Sequence, residues 1–347
     1  LQRFMSDEGV INRYIAFPLN SIAVSQVQDD YSVTGSFTGT SFPCTGCGLL
    51  NGNSIRYYDE TLAGDASIGY KGFPSLINTE TFTPGRGYLA YMWEASPLNP
   101  KVVNQDITGS IVQGNFTYSA SILTFTSSAG GINHDGWNLL GNPYPSSIRW
   151  EDLTDLPGGW TTTTNIDPTV FVTEDIPGTG EIFRSYNRST NVGDIVNGVI
   201  AAGQSFWLKA NAASPAITVT EAAKSSTTGT FFRKREDVAK HLVVSLSHNG
   251  LKDNSFVVLH RNATKAFDAE YDAFKFQATL PEMYGPEFDI ALVGEVDQRL
   301  VMYAVKDFST DDEIQLSLRT REPGEFAISF SNLDDFPYSS ELFLIDS

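Results

Sequence analysis

The sequence is poor in the features that mark an intracellular enzyme. Cysteine occurs twice in 347 residues, at Cys44 and Cys47. Basic side chains are scarce, 23 against 41 acidic ones, for a net charge of −18. Such a surface repels nucleic acid and anionic lipid and argues against both as partners. Charged residues make up 18% of the chain, which is low for a cytosolic enzyme. No apolar run reaches membrane-spanning length, so no insertion into a bilayer is expected. Helical periodicity is nearly missing. Its best candidates are residues 25–30 and 150–153, the second with Ser146 or Ser147 as a cap. There is no G-x-S-x-G elbow to point to a hydrolase triad, and no second cysteine pair or His-x-x-His to complete a four-ligand zinc site. Nothing selects a glycosidase pair from the 41 acids. No catalytic residue and no cofactor is expected.

What is present points to β-structure. Aromatics reach 12%, and Ser, Thr, Gly and Asn crowd the intervals between apolar runs. Strand-like runs recur every eight to fifteen residues, as at 54–58, 87–93, 121–125, 169–172 and 205–208. The chain also repeats itself. Gly136-Trp137-Asn138-Leu139-Leu140-Gly141-Asn142-Pro143-Tyr144-Pro145 opens one unit, and Arg13-Tyr14-Ile15-Ala16-Phe17-Pro18 opens an earlier, degenerate copy. About seventy residues later come the matching closes, Pro84-Gly85-Arg86-Gly87-Tyr88-Leu89-Ala90-Tyr91 and Ala202-Gly203-Gln204-Ser205-Phe206-Trp207-Leu208-Lys209. Setting Tyr14 against Trp137 gives an offset of 123, and Tyr88 against Phe206 gives 118.

The pattern breaks between Ala222 and Lys240, where Ser225-Ser226-Thr227-Thr228-Gly229 and the basic triplet Arg233-Lys234-Arg235 read as a solvated linker. From His241 seven strand candidates follow in about 105 residues, a sandwich-sized set. The expected fold is therefore all-β, with three tandem β-sandwich-like modules at 1–112, 113–232 and 233–347. The first two are related by internal duplication.

The repeated motifs read as architecture. Tyr14 and Trp137 are expected as core anchors of their modules. Asn142, Pro143, Tyr144 and Pro145 form a rigid turn. Gly141 takes a positive φ or admits another backbone. Gly85, Gly87 and Gly203 set tight turns ahead of a buried strand. Cys44 and Cys47, flanked by Gly, Ser and Thr, read as a local disulfide that shapes a loop tip in an oxidising compartment, with free thiols and redox or metal chemistry as the alternatives.

These phrases in this order resemble the C-terminal regions of large cell-surface and secreted proteins of Bacteroidota. The resemblance covers nearly the whole chain. It includes Gly203-Gln204-Ser205-Phe206-Trp207-Leu208-Lys209-Ala210, the segment Lys252-Asp253-Asn254-Ser255-Phe256-Val257, the motif Phe267-Asp268-Ala269-Glu270-Tyr271-Asp272-Ala273-Phe274-Lys275 and the closing phrase from Phe326 to Leu333. It implies an extracellular location, export by the type IX secretion system and a sorting domain further on, so the chain reads as a segment of a longer precursor. It brings no activity with it.

Two binding possibilities follow from residues. Asp268, Glu270 and Asp272 fall at i, i+2 and i+4. They read as an acidic strand face with Glu270 or Asp272 pairing Lys275 or Arg261, and alternatively as a calcium site. Tyr57, Tyr58, Tyr91, Trp93, Trp160 and Tyr186 form a pool of aromatics for stacking on sugars, about half of which alternation places in a core. The expected partners are the other modules of the same long chain, with surface glycans or secretion and surface machinery beyond them. The functional expectation is a structural and interaction region supporting adhesion or surface display. The alternative is a carbohydrate-binding accessory of a secreted polysaccharide-degrading enzyme.

Overall fold

The computed structural model describes residues 1–5, 12–43, 52–62, 66–92, 103–128, 134–151, 158–176, 180–225, 239–276, 288–294, 298–308, 312–321, 323–334 and 343–345. Cys44, Cys47, Trp93 and the triplet Arg233-Lys234-Arg235 lie outside them. The architecture is all-β and sandwich-like, with antiparallel pairing predominant. Within the described residues the single α-helix is the four-residue turn Val24–Val27, shorter than the expected 25–30. Of the other helix candidate, 150–153, Trp150 and Glu151 follow the strand Ser147–Arg149 and carry no helix, and residues 152 and 153 lie outside the described residues. Residues 121–125, expected as a strand, instead leave a turn in which the Ile122 and Leu123 amides donate to the Ser119 carbonyl.

The duplication is visible in the order of strands. In the first unit the opening strand Asn12–Ala16 pairs with the closing strand Gly87–Tyr91, followed across the sheet by Ile55–Tyr58 and Tyr70–Phe73. In the second, Trp137–Gly141 pairs with Ser205–Ala210, followed by Ile166–Ile176, Gly180–Asn187 and Val192–Gly193. Opener, closer, next strand and its hairpin mate occupy the same places in both.

Register corrects one equivalence. Tyr14 lies opposite Leu89 and Leu139 lies opposite Trp207, so Tyr14 matches Leu139 and Pro18 matches Pro143. The opening strands are offset by 125 rather than 123. The two-residue error keeps every side chain on its face, because the strand period is two.

These sheets are covered on both sides. Ile15, Tyr88 and Ala90 face a core belonging to the first unit, while Tyr14 and Leu89 face away from it. Leu140, Phe206 and Leu208 face a core of the second unit, while Trp137, Leu139 and Trp207 face away. The outward set enters one cluster shared with the third unit. Double burial explains why Trp137–Gly141 and Ser205–Ala210 are buried at every position and show no alternation.

The third unit is a seven-stranded sheet running Gln315–Thr320, Phe288–Val293, Arg299–Val305, Leu251–Leu259, Lys240–His248, Ala327–Ser331, with Ala273–Phe274 attached to Arg299–Val305. Its long hairpin turns at Asn249-Gly250, both at positive φ (49° and 83°), the geometry that makes Asn-Gly a hairpin signal. Residues 343–345, expected as a last strand, carry no regular structure.

Candidate functional site

The motif residues converge where the three units meet. Trp207 stands at the centre of an aromatic lattice, with ring centroids 4.9 Å from Tyr58, 6.1 Å from Tyr14, 6.2 Å from Tyr70 and 4.7 Å from Phe276. Phe276, supplied by the third unit, also reaches Phe183 at 4.4 Å, Trp137 at 5.0 Å and Phe171 at 5.9 Å. The hydroxyls of Tyr14 and Tyr70 meet at 3.0 Å. Most of the Trp137 and Trp207 pairs are edge-to-face, the geometry that ring quadrupoles favour. The buried Trp207 Nε1 has no hydrogen-bond partner, so packing alone holds the ring. Tyr14 and Trp137 are thus buried as expected, but at a junction between units rather than inside their own cores.

Backbone crossings fix the first two units beside this lattice. The Ala16 amide donates to the Gly203 carbonyl and the Gly141 amide to the Gly85 carbonyl, each at 2.8 Å. The two bonds are symmetry-like partners, since Ala16 matches Gly141 and Gly85 matches Gly203. A Cβ on Gly141 would lie 2.6 Å from the Ala16 Cβ and 2.7 Å from the Arg86 carbonyl oxygen. One on Gly87 would lie 2.8 Å from the Leu140 carbonyl oxygen. Gly141 is therefore required for close approach rather than for a positive φ. Gly85 and Gly203 do carry positive φ, at 79° and 68°, as their turns require.

Charge is buried here too. The Lys209 ammonium donates to the Asp135 carbonyl oxygen and lies over the rings of Trp137, at 5.0 Å, and Phe274, at 5.3 Å. Burial pulls its pKa down to about 8, against the opposing pull of Asp167, Asp135 and Glu60. Asp167 is pushed up to about 6 by burial, while the Asn211 amide donates to it at 2.9 Å. Glu60, from the first unit, accepts the Thr126 amide at 2.6 Å and the Gly136 amide at 3.0 Å, tying the first unit to the segment that leads into Trp137. Nothing in the sequence around Glu60 signals this; no periodicity marks a carboxylate that caps a distant chain.

The two motifs of the third unit are joined by a buried ion pair. Lys275 Nζ lies 2.9 and 2.7 Å from the Asp253 carboxylate oxygens and 3.1 Å from the Asn254 carbonyl. This corrects the expected pairing of Lys275 with Glu270 or Asp272. Asp272 is used elsewhere: its two oxygens accept the amides of Asp268 at 2.7 Å and Ala304 at 2.6 Å, and burial pushes its pKa up to about 7. Asp268 accepts the Glu270 amide at 3.0 Å, and Glu270 accepts the Ser189 hydroxyl of the second unit. The D-x-E-x-D carboxylates therefore staple a turn and a contact between units. No cluster of three or more His, Cys, Asp or Glu able to hold a metal occurs among the described residues.

The remaining expected residues fall mostly inside. Asn142 is fully buried; its side chain donates to the Ser146 and Ala201 carbonyls at 2.8 and 3.0 Å and accepts the Tyr144 amide at 3.0 Å. Tyr144 sends its hydroxyl to the Val219 carbonyl at 3.0 Å, and burial lifts its pKa to about 12. Pro143 and Pro145 complete this corner. Of the aromatic pool, Tyr58, Trp160 and Tyr186 are core. Tyr57 and Tyr91 are half-buried, with the Arg86 guanidinium 4.6 Å over the Tyr57 ring. No helix of the described residues is long and apolar enough to cross a membrane.

No curated protein and no solved structure matches the chain. Residues 51–347, which run through parts of all three units, match one family throughout, and the chain belongs to that family, described as a domain of unknown function (DUF8693).

Proposed function

We propose that this chain is a non-catalytic structural and interaction region of a secreted, cell-surface protein, supporting adhesion or surface display after type IX secretion. One observation carries the reading: the aromatic side chains best suited to stacking are used to join the units to each other, and the buried charged ones are paired within them. Trp207, Trp137, Phe276 and the Tyr14–Tyr70 pair close one packed lattice, and Lys209, Asp253 and Lys275 are enclosed with partners of their own. A chain built this way transmits position and load between its ends. The extracellular setting is supported by the motif resemblance.

The experiment is surface proteolysis of intact cells of the source organism, with an antibody to this region. Loss of the epitope without lysis is expected, together with its retention inside cells when type IX export is blocked. Protection of the epitope in intact cells would refute the surface assignment. A polysaccharide pull-down separates the carbohydrate-binding alternative, and no retention is expected.

A further inference from the structure

The Asp253–Lys275 ion pair is enclosed and closely held. Both residues are nearly fully buried, at 4% and 6% exposure. The Lys275 nitrogen touches both carboxylate oxygens, at 2.9 and 2.7 Å, and its bond to the Asn254 carbonyl fixes its direction. The Ile290 amide, on a different strand, donates to Asp253 Oδ2 at 2.8 Å. That is where a donor must sit if negative charge develops on this oxygen when the carboxyl carbon is attacked. Phe171, Phe183, Phe276 and Val301 line a small cavity together with the pair. Asp289 lines the same cavity, held by the Arg299 guanidinium. Burial and the Asp289 charge favour the protonated form of Asp253.

We propose that Lys275 and Asp253 condense into an intramolecular isopeptide bond. One ammonium proton passes to the carboxylate, leaving an amine beside a carboxylic acid in a desolvated site. The Lys275 Nζ lone pair attacks Asp253 Cγ, and the Ile290 amide stabilises the charge on Oδ2. The Nζ–Cγ bond forms and the Cγ–Oδ1 bond breaks. One water leaves with Oδ1 and two of the three original ammonium protons; the third stays on the amide nitrogen. Nothing is oxidised or reduced and no co-reactant is consumed. The contact holds Nζ within reach of the carboxyl group, which is the proximity such a condensation needs. The bond would tie the Leu251–Leu259 strand to the segment following Ala273–Phe274, next to the Phe276 ring that plugs the junction. It deepens the load-bearing role proposed above, and its test reads a covalent bond rather than a location, so the two fail separately.

The test is the intact mass of the purified full chain, with peptide mapping after denaturation. A mass lower by one water is expected, with a branched peptide linking Asp253 to Lys275. Lys275→Arg, which keeps the charge but not the amine, is expected to show the full mass. Wild-type protein of full mass, with Asp253 and Lys275 recovered in separate peptides, would overturn the proposal. So would a water deficit that persists in Lys275→Arg.

Discussion

At the scale of single residues, the junction makes sharp demands. Phe276 touches four aromatic rings of the second unit, and truncating a ring so placed leaves a cavity that costs about 3–5 kcal/mol. Phe276→Ala is expected to destabilise by that order in denaturant unfolding, and a change below about 1 kcal/mol would contradict its placement. Gly141→Val forces a side chain against the Arg86 carbonyl, a backbone atom that cannot swing away. A loss of about 1–3 kcal/mol or more is expected, and an unchanged melting temperature would show that the units do not cross there. Asp167 gives a pH signature. Its pKa is raised to about 6, so its contribution to stability is fully present below the ordinary 3.8 and is lost as pH rises through about 6. Lys209 has the opposite sign: lowered to about 8, its contribution is present above 10.5 and lost as pH falls through about 8. Asp167→Asn is expected to flatten the fall in stability between about pH 4 and 6, by at most about 3 kcal/mol. Identical slopes for variant and wild type across that range would remove Asp167 from the account.

At the scale of elements, the strands were readable and their partners were not. Runs rich in apolar residues and bounded by Gly, Asn and Pro located the openers and closers of both copies, because double burial suppresses the alternation of a one-sided strand. The same burial hid which face each residue serves. Tyr14 and Ile15 look alike in sequence and enter different cores. Glu60 and Phe276 could not be read as junction residues, since their contacts lie in other units and leave no local period. Lys275 was visible as part of a motif, but its partner Asp253 lies in another motif 22 residues earlier. Local spacing suggested Glu270 and Asp272 in its place. The Asn142-Pro143-Tyr144-Pro145 corner is the opposite case, because its bonds are mostly local. Asn142→Ala would leave the Ser146 and Ala201 carbonyls and the Tyr144 amide without their side-chain partner. About 1–3 kcal/mol of destabilisation is expected, and chemical denaturation within a few tenths of wild type would mean the corner holds without its asparagine.

At the scale of the whole molecule, three sheet-built units share one buried cluster instead of hanging as beads on a linker. Aromatic packing, paired backbone crossings and the Glu60 cap couple the first unit to the second, and Phe276, Glu270 and Lys252 couple the third to the second. Coupling of that extent predicts that the units unfold together. Differential scanning calorimetry of the intact chain, alongside Phe276→Ala, tests this most directly. The account predicts one cooperative transition in the wild type, with equal calorimetric and van't Hoff enthalpies, that splits or broadens in the variant. Two or three separate transitions in the wild type, at temperatures the variant leaves unchanged, would contradict it.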